Sequence, residues 1–277
     1  MLQRNLSQVC MRGALLLVVS GLLTLAPRAA AQSESPSAFQ PSDPCTPGVS
    51  SYVENTVISV TGLPYSATLR VTFDQQMSDG SMVHGVTRTL SARDSSGKTR
   101  METSIGCWLD KDGQSRDRLN VRIADPLAGT FLEWSTGGPV LKVAHLISQP
   151  EAFLKLQALP AWSDSESEVQ TPGQSTRIVR TELLGRTTID GVEAQGLRTT
   201  ITIPRGAQGN KQPIVSIHEQ WMSMDLGIVM EDLIDDPVRG RTEMELENFT
   251  LKQPDRALFL PPVGYKIIKS SATPAQK

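Results

Sequence analysis

Ser216 to Leu226 reads SIHEQWMSMDL, and His218-Glu219 are the first two letters of H-E-x-x-H. In that helical motif two imidazoles one turn apart hold a zinc ion and the glutamate acts as general base. The second histidine would stand where the chain has Met222. The flanking IVSIHEQW is β-branched and roughly alternating, which predicts a strand. On a strand, positions 218 and 222 share a face but lie about 13 Å apart at about 3.3 Å per residue. His84 and His145 are the other two histidines, and nothing in the sequence brings them to His218. The expectation is a polar residue on a sheet face, without zinc.

Other catalytic patterns fail in the same way. There is no G-x-S-x-G nucleophile elbow, no P-loop and no dinucleotide fingerprint. DKDGQ, Asp110 to Gln114, has a misplaced glycine for a calcium loop and no glutamate twelve residues after its first aspartate, so it predicts a turn. Glu231, Asp232, Asp235 and Asp236 leave two readings open, a divalent-ion site at a hairpin mouth or a solvated turn. No catalytic residue, metal or cofactor is implied, and the expectation is a non-enzyme.

The elements that would position such residues are strands. In YSATLRVTF, Tyr65, Ala67, Leu69, Val71 and Phe73 face one way and Ser66, Thr68, Arg70 and Thr72 the other. RLNVRI and EMELE repeat the period, with Leu119, Val121 and Ile123, then Met244 and Leu246, as the apolar sets. One-sided burial predicts antiparallel pairing. DSSGK, DPLAG and DDPVRG combine an Asx cap, a turn former and a glycine between strand-like runs, which predicts tight hairpins. About eleven strands are expected, forming one large curled sheet, a half-barrel or open barrel.

PEAFLKLQALPAW, Pro150 to Trp162, breaks the pattern. Its proline-led start and its apolar Phe153, Leu154, Leu156 and Leu159 predict one short helix on the concave face, followed by the acidic, mobile loop SDSESEVQTPGQS. An apolar ligand would meet Phe153, Leu156, Leu159, Trp162, Met222 and Met224. Methionine suits a surface that adapts to flexible chains. Core filling is the other reading of the methionines in strand-like segments.

Arg4 and Arg12, an uncharged apolar run from Ala14 to Ala26, and Ala29-Ala30-Ala31 predict a secretory signal cut after Ala31. The run is short for an uncleaved anchor, since a membrane span needs about 20 residues. Removing residues 1–31 leaves 24 basic against 29 acidic residues, net −5. This speaks against nucleic acid or an anionic membrane surface as the main partner. About 246 residues remain. Residues 32–50 read as a disordered Ser/Pro-rich linker, 51–269 as a single antiparallel β domain, and 270–277 as a disordered tail. The expected location is periplasmic or extracellular. Cys45 and Cys107 would survive cleavage into an oxidising compartment, as a disulfide or as two free thiols. A disulfide would contribute about 4 kcal/mol on the chain-entropy model.

Four blocks, ARDSSGKTRME, IPRGAQGNKQPI, EQWMSMDL and the C-terminal PDRALFLPPVGYKI, resemble a group of uncharacterised secreted bacterial proteins, from about Pro64 to Lys269. The paired strands, the D-P-x-x-G hairpins and the C-terminal ending also resemble the lipoprotein-carrier (Lol-type) half-barrel superfamily. That resemblance implies an incomplete antiparallel barrel around an apolar cavity, shielding an apolar or lipid-like ligand or a lipoprotein acyl chain. The superfamily's N-terminal helix finds little support here, because VSSYVENTVISV is β-branched. The alternative is a structural or protein-protein interaction module of the envelope, using a sheet edge or the acidic loop.

Overall fold

The alternation at Tyr65 becomes the first strand, β1 (Tyr65–Gln76), in a computed structural model that describes residues 55–56, 60–148, 161–170 and 175–270. Tyr65, Ala67, Leu69 and Val71 are almost completely buried, while Ser66, Thr68, Arg70 and Thr72 are half-exposed. The side bearing the first set is called the first face below. The described strands continue as β2 (Met82–Arg93), β3 (Thr99–Leu109), β4 (Ser115–Asp125), β5 (Thr130–Thr136), β6 (Val143–Ser148), β7 (Ser165–Val169) and β8 (Arg177–Ile189). They are completed by β9 (Val192–Ile203), β10 (Ile214–Ser223), β11 (Ile228–Asp236), β12 (Gly240–Thr250) and β13 (Lys266–Ser270).

These thirteen strands form one curled open sheet in the order β13-β6-β5-β4-β3-β2-β1-β12-β11-β10-β9-β8-β7. Neighbours are antiparallel, as the one-sided burial requires, except that β13 runs parallel to β6. The count exceeds the expected eleven. One added strand, β7 (SESEV), is acidic and carries no apolar alternation. The only helix among the described residues is a 3-10 turn, Arg256–Phe259. Of the expected helix, residues 150–160, with Phe153, Leu156 and Leu159, lie outside the described residues, as do residues 1–54, while Ala161 and Trp162 are in irregular chain rather than helix.

The hairpins follow the predicted chemistry. Asp94 Oδ1 accepts from the Ser96 and Lys98 amides, Asp125 Oδ1 from the Ala128 amide, and Asp236 Oδ1 from the Val238 and Arg239 amides. DKDGQ is also a turn, in which Asp110 Oδ1 accepts from the amides of Asp112 and Gln114. Gly240 requires its glycine. Its φ is +96° and a Cβ would stand 2.0 Å from the Asp74 carbonyl oxygen.

The core has a part on each face. On the first face Leu69, Val71, Val229 and Met244 pack together, and a second cluster gathers Tyr65, Ala194, Leu226, Ile228 and Met230. Asn55 and Thr56 close over this end: the Val229 amide donates to the Asn55 carbonyl, Thr56 bridges to Ile228, and Ser91 Oγ donates to Asn55 Oδ1 at 2.8 Å. On the second face the C-terminal segment crosses β2 to β5, seating Leu258 and Phe259 on Ala92, Val121, Ile123 and Trp134. Beneath it the buried Arg100 pairs with Glu102 at 2.5 Å, and Arg100 Nη1 donates to the Leu258 carbonyl. Thus PDRALFLPPVGY, one of the blocks that carries the resemblance, is the strap over one half of the sheet.

Strand order also constrains curvature. β6 and β7 are consecutive in the chain yet eleven strand steps apart in the sheet, about 53 Å along it at about 4.8 Å per step. Residues 149–164, sixteen in all, join them. Even fully extended, the seventeen links from Ser148 to Ser165 reach only about 58 Å. A flat sheet would leave that connection almost no slack, so curling the edges toward each other relieves a covalent constraint.

Candidate functional site

The histidine of the opening stretch sits on a strand. His218 belongs to β10 and its Nε2 meets Asp232 Oδ1 at 2.6 Å. His218 pairs in register with Ile234, so Asp232 is its diagonal neighbour on the same face. His84 lies on β2, bonded to Asp74, and His145 on β6, bonded to Ser270 Oγ. Among the described residues no three His, Cys, Asp or Glu side chains are grouped to hold a metal ion. The acidic cluster disperses: Asp232 faces His218, Asp235 pairs with Arg241, and Asp236 caps its turn and accepts from Ser216 Oγ.

Glu231 remains, opposite Glu245 on the second face. Burial, then the charges of Glu245 and Asp190, hold its carboxyl above the usual range. It borders a groove of about 270 Å³ with Glu219, Glu243, Glu245, Trp221 and Leu233. Arg198 neutralises Glu219, Arg70 neutralises Glu245 and Arg241 neutralises Glu243. The groove is carboxylate-lined and does not suit an acyl chain.

The first face of β8 to β11 differs. Register places Val179, Leu183, Leu197, Ile201, Ile214 and Ile234 on it. Leu183 is 41% and Ile234 38% exposed, and the others are half-buried. The His218–Asp232 pair stands among them, so the charge there is internally matched. On β1, one strand beyond β12, the same face is 0–2% exposed from Tyr65 to Val71. One sheet therefore has a filled stretch beside an apolar stretch that no described element covers. Alternation in β9 could have revealed this patch, with Leu197, Ile201 and Ile203 at even spacing.

The named candidates divide. Met222 is 1% exposed at the end of β10 and packs within the sheet, as do Met230 and Met244. Met224 is half-buried in the β10–β11 turn, and Trp162 is half-buried just before β7. Met77 and Met82 are exposed beside the β1–β2 turn. Cys107, on β3, is disulfide-bonded. Cys10 and Cys45 lie outside the described residues.

No protein-family model matches the chain, and no curated protein matches it. Solved structures do. An exported protein of YmcC-like fold from Bacteroides fragilis is 10% identical over 72% of this chain and 100% of that one, with a TM-score of 0.25. A LolA superfamily protein from Nitrosomonas europaea is 8% identical over 73% and 92%, with a TM-score of 0.25. The Mycobacterium tuberculosis lipoprotein LppX is 14% identical over 68% and 89%, again with a TM-score of 0.25. Superposition at this level carries no functional assignment.

Proposed function

We propose that this is an exported, non-enzymatic envelope protein that binds an apolar or lipid-like ligand on the first face of its sheet. The observation that carries the reading is the half-exposed apolar stretch from Val179 to Ile234, continuous with a filled core on β1 and β12. Contiguous apolar surface of this kind on a soluble protein marks an interaction site or a liability. The signal-like N-terminus supports export, as does the disulfide at Cys107, for which we read Cys45 as partner. No helix among the described residues is long and apolar enough to cross a membrane. Residues 149–164 join β6 to β7, and we place Phe153, Leu156 and Leu159 of that connection beside the ligand.

The test is extraction of the purified mature chain for mass spectrometry, with titration of a fluorescent fatty acid. Co-purified lipid, or saturable binding competed by unlabelled fatty acid, is expected. Absence of both would remove the reading.

A second reading is an interaction module. It is favoured by β7 and β13, the two sheet edges, whose outer N–H and C=O groups face no described strand. Crosslinking that returns only monomer would argue against it.

A further inference from the structure

We infer that Arg118 and Trp108, on the first face of β3 and β4, form an anion subsite that takes a phosphate or carboxylate group. The sequence SRDRLNVRI on β4 sorts its residues by parity. Leu119, Val121 and Ile123 are buried beneath the C-terminal strap on the second face, which turns Arg116, Arg118, Asn120 and Arg122 to the first. The residues flanking Arg118 have their charge or hydrogen bonds answered. Arg116 Nε meets Asp110 Oδ2 at 3.0 Å, and Asn120 Nδ2 donates to Glu133 Oε1 at 2.7 Å. Arg122 lies over the Phe131 ring and beside Glu133.

Arg118 has no such answer. Its Nε is buried and has no hydrogen-bond partner among the described residues, while the side chain as a whole is half-buried. A buried donor left unmade is costly, which favours an acceptor brought by a ligand. Trp108 supplies a second orphan. It faces Arg116 directly in the ladder and Arg118 diagonally, a separation of about 7–8 Å that long side chains bridge. Its indole Nε1 is also buried and without a partner. The ring is held against Gly138, where a Cβ would come within 2.9 Å of it.

The strand position opposite Arg118 is open. The residue opposite Arg118 is Gly106, and a Cβ built there would meet nothing within 4 Å. The bulge at Ser104–Gly106 interrupts the ladder at this point, re-aiming the strand as bulges beside sites commonly do. A guanidinium and an indole N–H around an open position suit a tetrahedral phosphate or a planar carboxylate. The subsite lies on the same face of the same sheet as the apolar stretch of β8 to β11. It stands four strand steps from β11, about 19 Å along the sheet, with the filled stretch of β1 and β12 between; where it joins the proposed function, on which it rests in this respect, the ligand would be an apolar chain long enough to span that distance with an anionic end.

The shared chemistry has two sources, a lipid headgroup or a free anion, and three titrations of the purified mature chain separate them: inorganic phosphate, dodecyl phosphate and dodecanol. Dodecyl phosphate is expected to bind, with affinity at least tenfold lower in Arg118→Gln, partly restored in Arg118→Lys, and unchanged in the distant control Arg180→Gln. The melting temperature of Arg118→Gln without ligand should stay or rise, because an orphan donor has been removed. Phosphate binding that depends on Arg118 without any dodecanol or dodecyl preference would uphold the subsite for a free anion and remove the lipid reading. Dodecyl phosphate binding that ignores Arg118, or no binding of either phosphate, would overturn the subsite. Dodecanol binding alone would leave the lipid reading standing without it.

Discussion

The Arg93 guanidinium lies over the Tyr65 ring, 5.0 Å from its centroid, with both side chains fully buried. Its nitrogens donate to the Leu63 carbonyl at 2.9 and 3.1 Å and to the Leu226 carbonyl at 2.7 Å. Burial lowers its pKa, and the neighbouring Tyr65 acts the other way. The end of β2 is thereby tied to the approach to β1 and to the β10–β11 turn. Arg93→Ala would leave the buried Leu226 carbonyl and the part-buried Leu63 carbonyl without these donors, and an empty volume against Tyr65. A loss of about 3 kcal/mol is expected in urea unfolding, with Arg93→Lys recovering only part of it, since an ammonium lacks the forked geometry.

Glu231 and Glu245 face each other across β11 and β12, like charges on one side of the sheet. Glu231 has its carboxyl pKa raised by burial first and by Glu245 and Asp190 next. A raised carboxylate pKa means the folded state favours the proton more than the unfolded state does. The associated stability is present below the unfolded value and is lost as pH rises through the folded one. Glu231→Gln should therefore melt higher than the natural chain at pH 7, with the difference disappearing near pH 3. An equal increment at both pH values would contradict the assignment.

Trp221 lies flat on Gly196, its cross-strand partner, where an added Cβ would sit 2.7 Å from the indole. Gly196→Ala is expected to cost about 1–3 kcal/mol by overpacking. Trp221→Leu in the same chain should return part of that loss, which a thermal-melt double-mutant cycle would read as coupling.

What was legible in the sequence was what a period of two encodes. Tyr65 to Val71 and Leu119 to Ile123 show their buried faces because each strand has one wet side, and Asp94, Asp125 and Asp236 show their turns because an Asx cap needs a fixed spacing. β7 was not legible, since an edge strand that buries nothing leaves no alternation. β2 was hidden for the opposite reason. Leu90 and Ala92 are buried on one face and Thr89, Ser91 and Arg93 on the other, so apolar and polar residues are equally enclosed. The apolar stretch on β8 to β11 depended on register between strands up to 55 residues apart, Val179 to Ile234, which no local pattern supplies. Met222 illustrates the limit at the site: its residue type fits either a binding surface or a core, and only its 1% exposure distinguishes them.

Leu183 and Ile234 are the most exposed members of the apolar stretch. Leu183→Asp and Ile234→Asp should therefore lower fatty-acid affinity more than tenfold while shifting the melting temperature by only a few degrees. A carboxylate at a site this exposed remains solvated, and surface substitutions usually fall within about 0.5 kcal/mol. Unchanged affinity in both variants would move the ligand off this face.

The connection from Ser148 to Ser165 permits a sharper test. Ala161 and Trp162 lie in irregular chain, so the expected helix could occupy only residues 150–160, whose ten links would advance about 15 Å at about 1.5 Å each. The remaining seven links add at most about 24 Å, so β6 and β7 would have to lie within about 40 Å of each other, short of the 53 Å of a flat sheet. Screening a ligand from water is the proposed role of Phe153, Leu156 and Leu159 in this connection. Leu156→Asp should then weaken binding of a fluorescent fatty acid far more than it lowers the melting temperature. A segment that served only as core filling would do the reverse, because a buried carboxylate without a partner costs several kcal/mol of stability. Loss of folding with unchanged affinity in the folded fraction would assign Leu156 to the core and leave the ligand to the β8–β11 face alone.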